Sequence, residues 1–429
     1  MPSNVDKYLR RRALIRPLSR DLGPEICLWV VIPCYAEADF LPATIRSLQC
    51  CKVDMGTQVA VLVVVNNRAP AMLQTHAECE AYRQNLAMLQ FLRDEASSSS
   101  LPILWIDAAS EGNALPAKGG VGMARKLGCD SVLATVRNHT KDTELSERLR
   151  KTVLLHLDAD TLVEPNYFAA ADELLASGCP GGAIRFAHEP ADTPEGQRAI
   201  DCYELYIHHY TQALRWARSP YAFHTVGSTM VCTLEGYLRA DGVSAKRQAG
   251  EDFYFMQQLA KTGGVATLRK TCVHPSSRLS DRVPFGTGPR LRQAVHGDAP
   301  DFSVYPLRAI AVVRRLLAAV CEHPESNAAG LFERCECPEA EDFLEAKRFT
   351  EVWRGFQRQF KTPQDRIRAF HNWFDGLATF RLVNHLTTAW GALPLMDGWR
   401  ELFEAIGEPS PPSTREDLLQ WCRQHCETK

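Results

Sequence analysis

Short apolar runs alternate with amphipathic stretches through the first 180 residues or so of the chain. Continuous runs rich in branched apolar side chains are typical of strands that are buried on both faces of a sheet. They predict strands over residues 26–33, 59–65, 101–106 and 153–157. Apolar positions at helical spacing predict helices over residues 38–48, 71–94, 119–127 and 165–176. This alternation predicts an α/β fold with a mostly parallel sheet and helices on both faces.

The pattern changes after about residue 300, where helical spacing dominates. It predicts helices over residues 303–322, 341–360 and 364–390, and aromatic side chains recur along them at the spacing of a core seam. Residues 135–150 are polar and predict an exposed insertion or a surface helix. We therefore divide the chain into a basic N-terminal tail (1–25), an α/β domain (26–300) and a helical C-terminal region (301–429).

Composition narrows the class of protein without deciding its function. Lys and Arg number 49 and Asp and Glu 51, so the near-neutral chain has no global basic field for nucleic acid. The 15 cysteines are scattered and odd in number, which favours reduced thiols in a cytosolic protein. No run approaches the roughly 20 apolar residues that cross a bilayer, and the basic N-terminus lacks the apolar core of a signal peptide. We expect a cytoplasmic protein with no integral membrane segment, a solvated N-terminal tail and an undetermined oligomeric state.

The strongest candidate for chemistry is the segment HLDADT, which follows the fourth predicted strand. In an extended segment, residues i and i+2 point to the same side, so Asp158 and Asp160 aim two carboxylates at one point. Such like charges favour a cation between them, and a divalent ion with oxygen ligands meets that need. The ion would neutralise charge on a departing diphosphate. The alternative is an Asp-rich turn that caps the following helix.

Two further segments supply candidate catalytic and metal-binding groups. Glu251 and Asp252 stand where a helix is predicted to begin, which suits either helix capping or a general base that accepts a proton from a hydroxyl. His274 ends a strand predicted over residues 265–273, and a neutral imidazole can complete a carboxylate metal site. A structural role is the alternative for each.

Candidate residues for binding phosphate or a nucleoside lie in the remaining loops. Arg278 and Arg282 occupy a glycine-containing loop that suits a clamp on phosphate oxygens, or else a solvated loop. Lys118 and Arg125 flank a glycine-rich helix start, where backbone can approach phosphate. The ends of the first two strands could contact a nucleoside through Pro33, Tyr35, Glu37, Asn66 and Asn67.

Taken in order, these segments resemble the family 2 glycosyltransferases, which have the GT-A fold. The resemblance covers roughly residues 26–290. It rests on the segments VVIPCYAEADFLPATIRSL, VAVLVVVNN, KGGVGMARKLG, LLHLDADTLVEPNYF, VGSTMVCTLEGYLRADG, GEDFYFMQQL and VHPSSRLSDRVPFGTG.

The resemblance implies a nucleotide-sugar donor, often a UDP-sugar, bound with Mg²⁺ or Mn²⁺, and an unknown hydroxyl acceptor. It implies a metal site of Asp158, Asp160 and His274, with Asp252 as the base and Glu251 beside it. It also implies an acceptor region at Gly227, Ser228 and Thr229, and a mobile loop that carries Arg278 and Arg282. The nucleotide pocket would be lined by Pro33, Tyr35, Glu37 and Asn66, and Arg125 would lie on the phosphate side.

The sequence departs from the family where the second strand ends in Asn66 and Asn67 instead of an acidic residue, which leaves base recognition open. A retaining mechanism stays open beside the inverting one. A nucleotidyltransferase of related fold and a non-catalytic sugar-nucleotide-binding protein are the other candidates. A nucleotidyltransferase would normally have a glycine-rich basic loop after its first strand, but here that strand is followed by PCYAEADF. The intact pairs Asp158/Asp160 and Glu251/Asp252 argue against a non-catalytic protein.

Overall fold

The computed structural model describes residues 2–23, 25–53, 56–245, 250–278 and 302–425. Contacts divide these residues into two compact units. The first holds the described parts of Met1–Pro190 and Thr225–Pro289, and the second holds those of Ala191–His224 and Arg290–Lys429. Residues 191–224 therefore group with the C-terminal helices and not with the sheet, to which the sequence analysis assigned them.

A sheet of eight strands, counted over the described residues, forms the centre of the first unit. Its strands are β1 (Leu28–Cys34), β2 (Val59–Asn66), β3 (Ile103–Ala108), β4 (Val153–His156), β5 (Thr161–Val163), β6 (Gly181–Phe186), β7 (Met230–Thr233) and β8 (Val265–Pro275). The order is β3-β2-β1-β4-β7-β6-β8-β5. Only β7 and β5 run against the other described strands, because β7 is antiparallel to β4 and β6, and β5 is antiparallel to β8. The predicted α/β class with a mostly parallel sheet is confirmed.

Helices of the first unit connect and cover these strands. They are α1 (Pro2–Arg11), α2 (Leu41–Gln49), α3 (His76–Ser98), α4 (Val121–Asn138), α5 (Asp142–Lys151), α6 (Ala169–Ser177), α8 (Leu234–Arg239) and α9 (Glu251–Gly263), with short 3-10 turns at Pro70–Met72 and Gly227–Thr229. The polar stretch 135–150 completes α4 and forms most of α5, which buries Leu145 and Leu149. The surface-helix alternative is the one that the structure supports.

The N-terminal residues are not the solvated tail that the sequence analysis expected. Helix α1 buries Val5 and Tyr8, and the Tyr8 hydroxyl donates a hydrogen bond to the buried carboxylate of Asp130 at 2.8 Å. The backbone N–H of Leu14 donates to the other Asp130 oxygen at 2.7 Å. Two apolar positions three residues apart are too weak a pattern to predict this packing.

The second unit is helical, with one short β-ladder among its described residues. Its elements are α7 (Pro194–Trp216), β9 (Ser303–Val304), α10 (Leu307–Glu322), α11 (Ala328–Cys335), α12 (Pro338–Glu345), α13 (Phe349–Gln359), α14 (Pro363–Trp373), α15 (Gly376–Trp390), β10 (Leu393–Pro394), α16 (Leu395–Ile406) and α17 (Arg415–His425). Aromatic side chains form its core, as the sequence predicts: Trp353, Phe370 and Phe374 are at most 1% exposed.

Two of the predicted long helices are each divided in the structure. The first divides near Arg348, which has a left-handed backbone at φ 61°. The second divides at Asp375, whose side chain accepts a hydrogen bond from the N–H of Ala378 and so caps α15. No helix that the structure describes is both long and apolar enough to cross a membrane.

Candidate active site

Asp158 and Asp160 follow β4 at the carboxyl edge of the parallel strands β1, β2 and β4. Backbone pairing with β1 continues past the strand, because the N–H of Leu157 donates to the carbonyl of Val31. The edge of an open α/β sheet at the strand carboxyl ends is where ligands bind in such folds. In this structure each aspartate forms an ion pair with a different arginine.

Arg125 of α4 forms an ion pair with Asp158. Its side chain is 2% exposed, and its Nη2 donates to Asp158 Oδ1 at 2.8 Å. Its Nε lies 3.8 Å from Glu251 Oε1, and its Nη1 donates to the carbonyl of Gly227 at 3.4 Å. Burial lowers the pKa of Arg125, but the charges of Asp158 and Glu251 outweigh burial and raise it. The arginine therefore stays charged and links three parts of the chain.

Glycines let α4 come close enough for this contact. A Cβ on Gly128 would lie 2.6 Å from Val31 and 3.0 Å from Val64, so the helix touches β1 and β2 directly. A Cβ on Gly122, one turn before Arg125, would lie 3.2 Å from the Glu251 side chain. Real Cβ atoms rarely pack this tightly, so larger residues would move α4 away from the sheet and from α9.

Arg278 closes the other side of the site by joining two carboxylates. Its Nη2 lies 2.6 Å from Asp160 Oδ2 and donates to both oxygens of Glu37, at 2.6 and 2.9 Å. The guanidinium also lies over the ring of Phe40, 4.1 Å from its centroid. Burial raises the pKa of Asp160, Arg278 opposes that shift, and the charge of Asp158 adds to it.

Glu251 and Asp252 begin α9, as the sequence predicts, after Gly250 with its left-handed φ of 73°. Asp252 is half-buried, and its Oδ1 accepts a hydrogen bond from the N–H of Phe253 at 2.7 Å. Burial and the neighbouring charge of Glu251 raise the pKa of Asp252 to about 7. Burial also raises the pKa of Glu251, although Arg125 opposes it. A carboxyl with a pKa near neutrality is suited to proton transfer at neutral pH.

The nucleoside-side candidates at the ends of β1 and β2 are held together by Asn85, which sequence reasoning missed. Its Oδ1 accepts from the N–H of Ala36 at 2.8 Å, and its Nδ2 donates to the carbonyl of Asn66 at 3.2 Å. The available signal was a single amide at an apolar-face position of the predicted helix, since α3 buries Ala81, Asn85, Met88, Leu89 and Leu92.

The remaining donor candidates lie at different depths. Pro33 is buried in β1, beyond the last residue that β1 pairs with β4, where its missing N–H costs no ladder hydrogen bond on that side. Tyr35 is half-buried and Asn67 is buried. Lys118 is exposed in the loop before α4 and takes no part in the contacts described above. Arg282 lies outside the described residues.

The candidate acceptor residues Gly227, Ser228 and Thr229 form the 3-10 turn before β7. A Cβ on Gly227 would lie 3.2 Å from Arg125 Nη2 and 3.3 Å from Asp158 Oδ2, so this backbone borders the aspartate directly. The Ser228 hydroxyl is buried and has no hydrogen-bond partner among the described residues. Thr229 Oγ1 donates to the carbonyl of Val226 at 2.7 Å.

His274 is found with different partners from those expected. Its Nδ1 lies 2.9 Å from the carbonyl oxygen of Ala187, and its Nε2 lies 3.8 Å from Glu164 Oε1. Cys272 completes a group of three potential ligands. Within the described residues, neither Asp158 nor Asp160 belongs to that group.

Negative charge exceeds positive charge around the two aspartates. Among the described residues, two guanidinium groups, Arg125 and Arg278, face six carboxylates linked by contacts or by mutual charge effects: Glu37, Asp158, Asp160, Glu189, Glu251 and Asp252. Glu189 was missed by the sequence analysis; burial raises its pKa, His274 opposes the shift and Asp160 adds to it. Within the described part of the chain, each aspartate has an oxygen that no arginine contacts. An all-oxygen donor set with excess negative charge fits a hard divalent cation.

No protein-family model matches this sequence, and no curated protein matches it. Among solved structures, the chain is similar to S. aureus TarS 1-349, with 14% identity, a TM-score of 0.38, and coverage of 94% of this chain and 90% of that chain. It is also similar to TarS 1-349 in complex with UDP-GlcNAc, with 11% identity, a TM-score of 0.35, and coverage of 94% and 88%. A third is the mannosyltransferase PcManGT from Pyrobaculum calidifontis in complex with GDP-Man and Mn2+, with 14% identity, a TM-score of 0.32, and coverage of 87% and 94%. Similarity this low assigns neither a family nor a function.

Proposed function

We propose that this chain is a metal-dependent glycosyltransferase of the GT-A type. It transfers a sugar from a nucleoside diphosphate sugar, a UDP-sugar in the first instance, to a hydroxyl group of an acceptor, with inversion at the anomeric carbon. The observation that carries the proposal is the pair Asp158 and Asp160 at the carboxyl edge of the sheet, with Asp252 in the same charge network. The proposed binding and proton-accepting groups are thus close enough to influence each other's charge, which supports a single site.

The donor diphosphate would bind at the two aspartates through a divalent cation, Mg²⁺ or Mn²⁺. When bound, the cation supplies the positive charge that neutralises the departing diphosphate. Arg278 is suited to help, because a guanidinium forms bidentate contacts with phosphate oxygens. Its present partners, Glu37 and Asp160, lie within 2.9 Å, so it reaches the metal-binding carboxylate already.

Asp252 would accept the proton of the acceptor hydroxyl. The acceptor oxygen attacks the anomeric carbon as it loses that proton, the bond from that carbon to the diphosphate oxygen breaks, and the diphosphate leaves with the electron pair. A base is effective when its pKa lies near the working pH, which the raised pKa of about 7 provides. Gly227 borders Asp158, so the backbone of the turn Gly227–Thr229 would face the acceptor there.

The nucleoside would bind where β1 and β2 end. Tyr35 is half-buried and offers a ring to a base or ribose, while Asn66 and Asn67 offer amide groups. The Asn67 Nδ2 is buried without a hydrogen-bond partner among the described residues, so a base carbonyl would satisfy a donor that now has none.

A thermal-shift experiment tests the donor site. UDP and GDP are added to the protein with Mn²⁺ and with EDTA, and the unfolding temperature is recorded. A nucleotide at 100 times its dissociation constant adds about 2.7 kcal/mol of stability. We expect UDP or GDP to stabilise the protein only when Mn²⁺ is present.

Asp160→Asn should abolish that nucleotide shift, because it removes a charged oxygen ligand. Asp172→Asn is the matched control, since Asp172 is exposed on α6, and it should keep the full shift. The proposal fails if no nucleoside diphosphate stabilises the protein with metal. It also fails if the Asp160 variant responds as the wild type does.

A further inference from the structure

We propose a second metal site in this protein, formed by Glu164, Cys272 and His274 and suited to Zn²⁺. One Glu oxygen, the Cys sulfur and one His nitrogen lie within 4.8 Å of one another. The proposal does not depend on the glycosyltransferase function. It assigns to His274 a different ion from the one expected beside Asp158 and Asp160.

Strand register explains why these three side chains meet. In the antiparallel pair β5–β8, Leu162 is opposite His274 and Val163 is opposite Val273. Continuing the register by one step sets Glu164 opposite Cys272. Side chains alternate between faces along a strand, so Glu164, Cys272 and His274 all lie on the face of Leu162. The grouping follows from the ladder and does not need a particular loop conformation.

The imidazole of His274 is oriented for metal binding. Its Nδ1 lies 2.9 Å from the carbonyl oxygen of Ala187, and a carbonyl only accepts, so Nδ1 carries the proton. The lone pair is then on Nε2, which faces Glu164 Oε1 at 3.8 Å. Histidines that bind metals usually donate their other ring N–H to a carbonyl or carboxylate, which fixes the tautomer in this way.

Distances and exposure are compatible with one ion. Zn–S bonds are about 2.3 Å and Zn–N or Zn–O bonds about 2.0–2.2 Å, so two ligand atoms of one tetrahedral ion lie roughly 3.3–3.7 Å apart. The three ligand atoms lie within 4.8 Å of one another, so binding one ion needs them to approach by at most about 1.5 Å through side-chain rotation. The side chains of His274 and Glu164 are 33% and 37% exposed, so an ion can enter from solvent. Cys272 is 9% exposed and is the most buried of the three potential ligands.

The ligand types select the metal. A thiolate and an imidazole favour Zn²⁺ over Mg²⁺ or Mn²⁺, which prefer oxygen ligands such as the carboxylates around Asp158. Three protein ligands leave a fourth position for water or another group.

Cobalt titration tests the site, because Co²⁺ adopts zinc geometries and shows a charge-transfer absorption when a thiolate binds it. Full-length protein is stripped with EDTA and titrated with Co²⁺ under reducing conditions. We expect the thiolate band to saturate at one equivalent and to disappear when Zn²⁺ is added. Absence of the band in the wild-type protein would overturn the proposal.

Variants identify the ligands. Cys272→Ser should remove the band, and Glu164→Gln and His274→Ala, at partly exposed positions, should each weaken Co²⁺ binding at least about tenfold, the lower range of losses seen for supporting partners. Cys79→Ser, at an exposed cysteine of α3, is the control and should bind as the wild type does. A band that persists in Cys272→Ser, or unchanged affinity in both other variants, contradicts the site.

Asp160→Asn separates this site from the donor site. It should keep the cobalt–thiolate band while losing the nucleotide shift with Mn²⁺. If it loses the band while Glu164→Gln keeps it, the ion belongs with the aspartates and the second site is refuted. Circular dichroism establishes that each variant is folded, and the wild-type titration decides the question even if Cys272→Ser does not fold.

Discussion

Arg125 is buried among groups that come from distant parts of the chain. Its partners are Asp158 after β4, Glu251 at the start of α9 and the carbonyl of Gly227. Taking a guanidinium out of water is costly unless its partners are well aligned, and here two carboxylates offset that cost. The same contacts hold the loop of Asp158 against α4 and α9, so the residue positions the site as well as balancing its charge.

Arg125→Ala should lower the free energy of unfolding by about 3–5 kcal/mol, since removing one partner leaves the carboxylate of Glu251, 6% exposed, without its cation. Urea denaturation measures the change. Arg83→Ala is the control, because Arg83 pairs with Glu80 on the surface of α3, and it should stay within about 0.5 kcal/mol. A similar loss in both variants would show that burial of the Arg125 network contributes nothing specific.

Asp252 predicts a pH dependence of activity. Its raised pKa of about 7 means that the carboxylate, the form that accepts a proton, predominates only above that pH. We expect kcat/KM to rise with pH through about 7 and then to level off. Initial rates with saturating metal measure the profile. Asp252 would be excluded as the base if kcat/KM fell only below about pH 5, or if Asp252→Asn kept full activity.

Single residues show that the sequence predicts where a helix begins better than it predicts which side chains meet. It predicted that Glu251 and Asp252 begin a helix, and α9 begins there. It did not predict that Arg278 joins Glu37 to Asp160, because a residue pair 241 positions apart in sequence leaves no local pattern. The sequence also did not predict that His274 lies close to Glu164, a contact set by the register of the three-residue strand β5. Which partner such a side chain meets depends on tertiary pairing.

Helix α4 is the element that connects the core of the sheet to the site. Its glycines face two different neighbours, with Gly128 on β1 and β2 and Gly122 on the start of α9. This close packing of α4 fixes the position of Arg125 relative to Asp158. In a helix, glycine costs up to about 1 kcal/mol relative to alanine, so its presence twice in one buried helix indicates that packing outweighs helix propensity.

Gly128→Ala should destabilise the protein by about 1–3 kcal/mol, because the new methyl group would lie 2.6 Å from Val31 in a close-packed core. Gly355→Ala is the matched change in the middle of α13, where nothing lies within 4 Å of the new Cβ. It should instead stabilise by about 0.5–1 kcal/mol through helix propensity. Chemical denaturation of both variants measures the difference. Equal effects would mean that α4 can move away from the sheet at little cost.

Element prediction succeeded where the hydrophobic pattern is long and failed where it is short. The four predicted strands of the first 160 residues occur within two residues of their expected ends. Strands β5 and β7, of three and four residues, were missed, whereas β4, also of four residues, was predicted from its continuous apolar run. The strand β6 was missed because it begins with two glycines, which carry no apolar signal. Together with β8, these three strands complete the sheet beyond β4.

At the scale of the whole molecule, contacts between distant segments decide which parts form a unit. Helix α7 follows the sheet strand β6 in sequence, yet residues 191–224 group with the C-terminal helices. The amphipathic pattern of α7 predicts that one face is buried, but it carries no information about which helices cover that face. The N-terminal segment is a similar case, since its burial depends on a partner more than 100 positions away.

The hydrogen bond between Tyr8 and Asp130 allows a test of how much the N-terminal helix contributes to the stability of the first unit. The Tyr8 hydroxyl donates to Asp130 and accepts from Lys126 Nζ at 2.7 Å, and Tyr237 donates to the same Asp130 oxygen at 2.8 Å. Tyr8→Phe should cost about 1–3 kcal/mol, because it leaves buried polar groups with fewer partners.

The control for Tyr8→Phe is Lys7→Ala, at an exposed position of the same helix, and it should stay within about 0.5 kcal/mol. Hydrogen exchange supplies the second measurement. If the network anchors α1, the amide of Leu14, which donates to Asp130 at 2.7 Å, should lose protection in Tyr8→Phe and keep it in Lys7→Ala. Unchanged protection and stability in Tyr8→Phe would mean that the Tyr8 hydroxyl does not anchor the helix, because only the hydroxyl differs between Tyr and Phe.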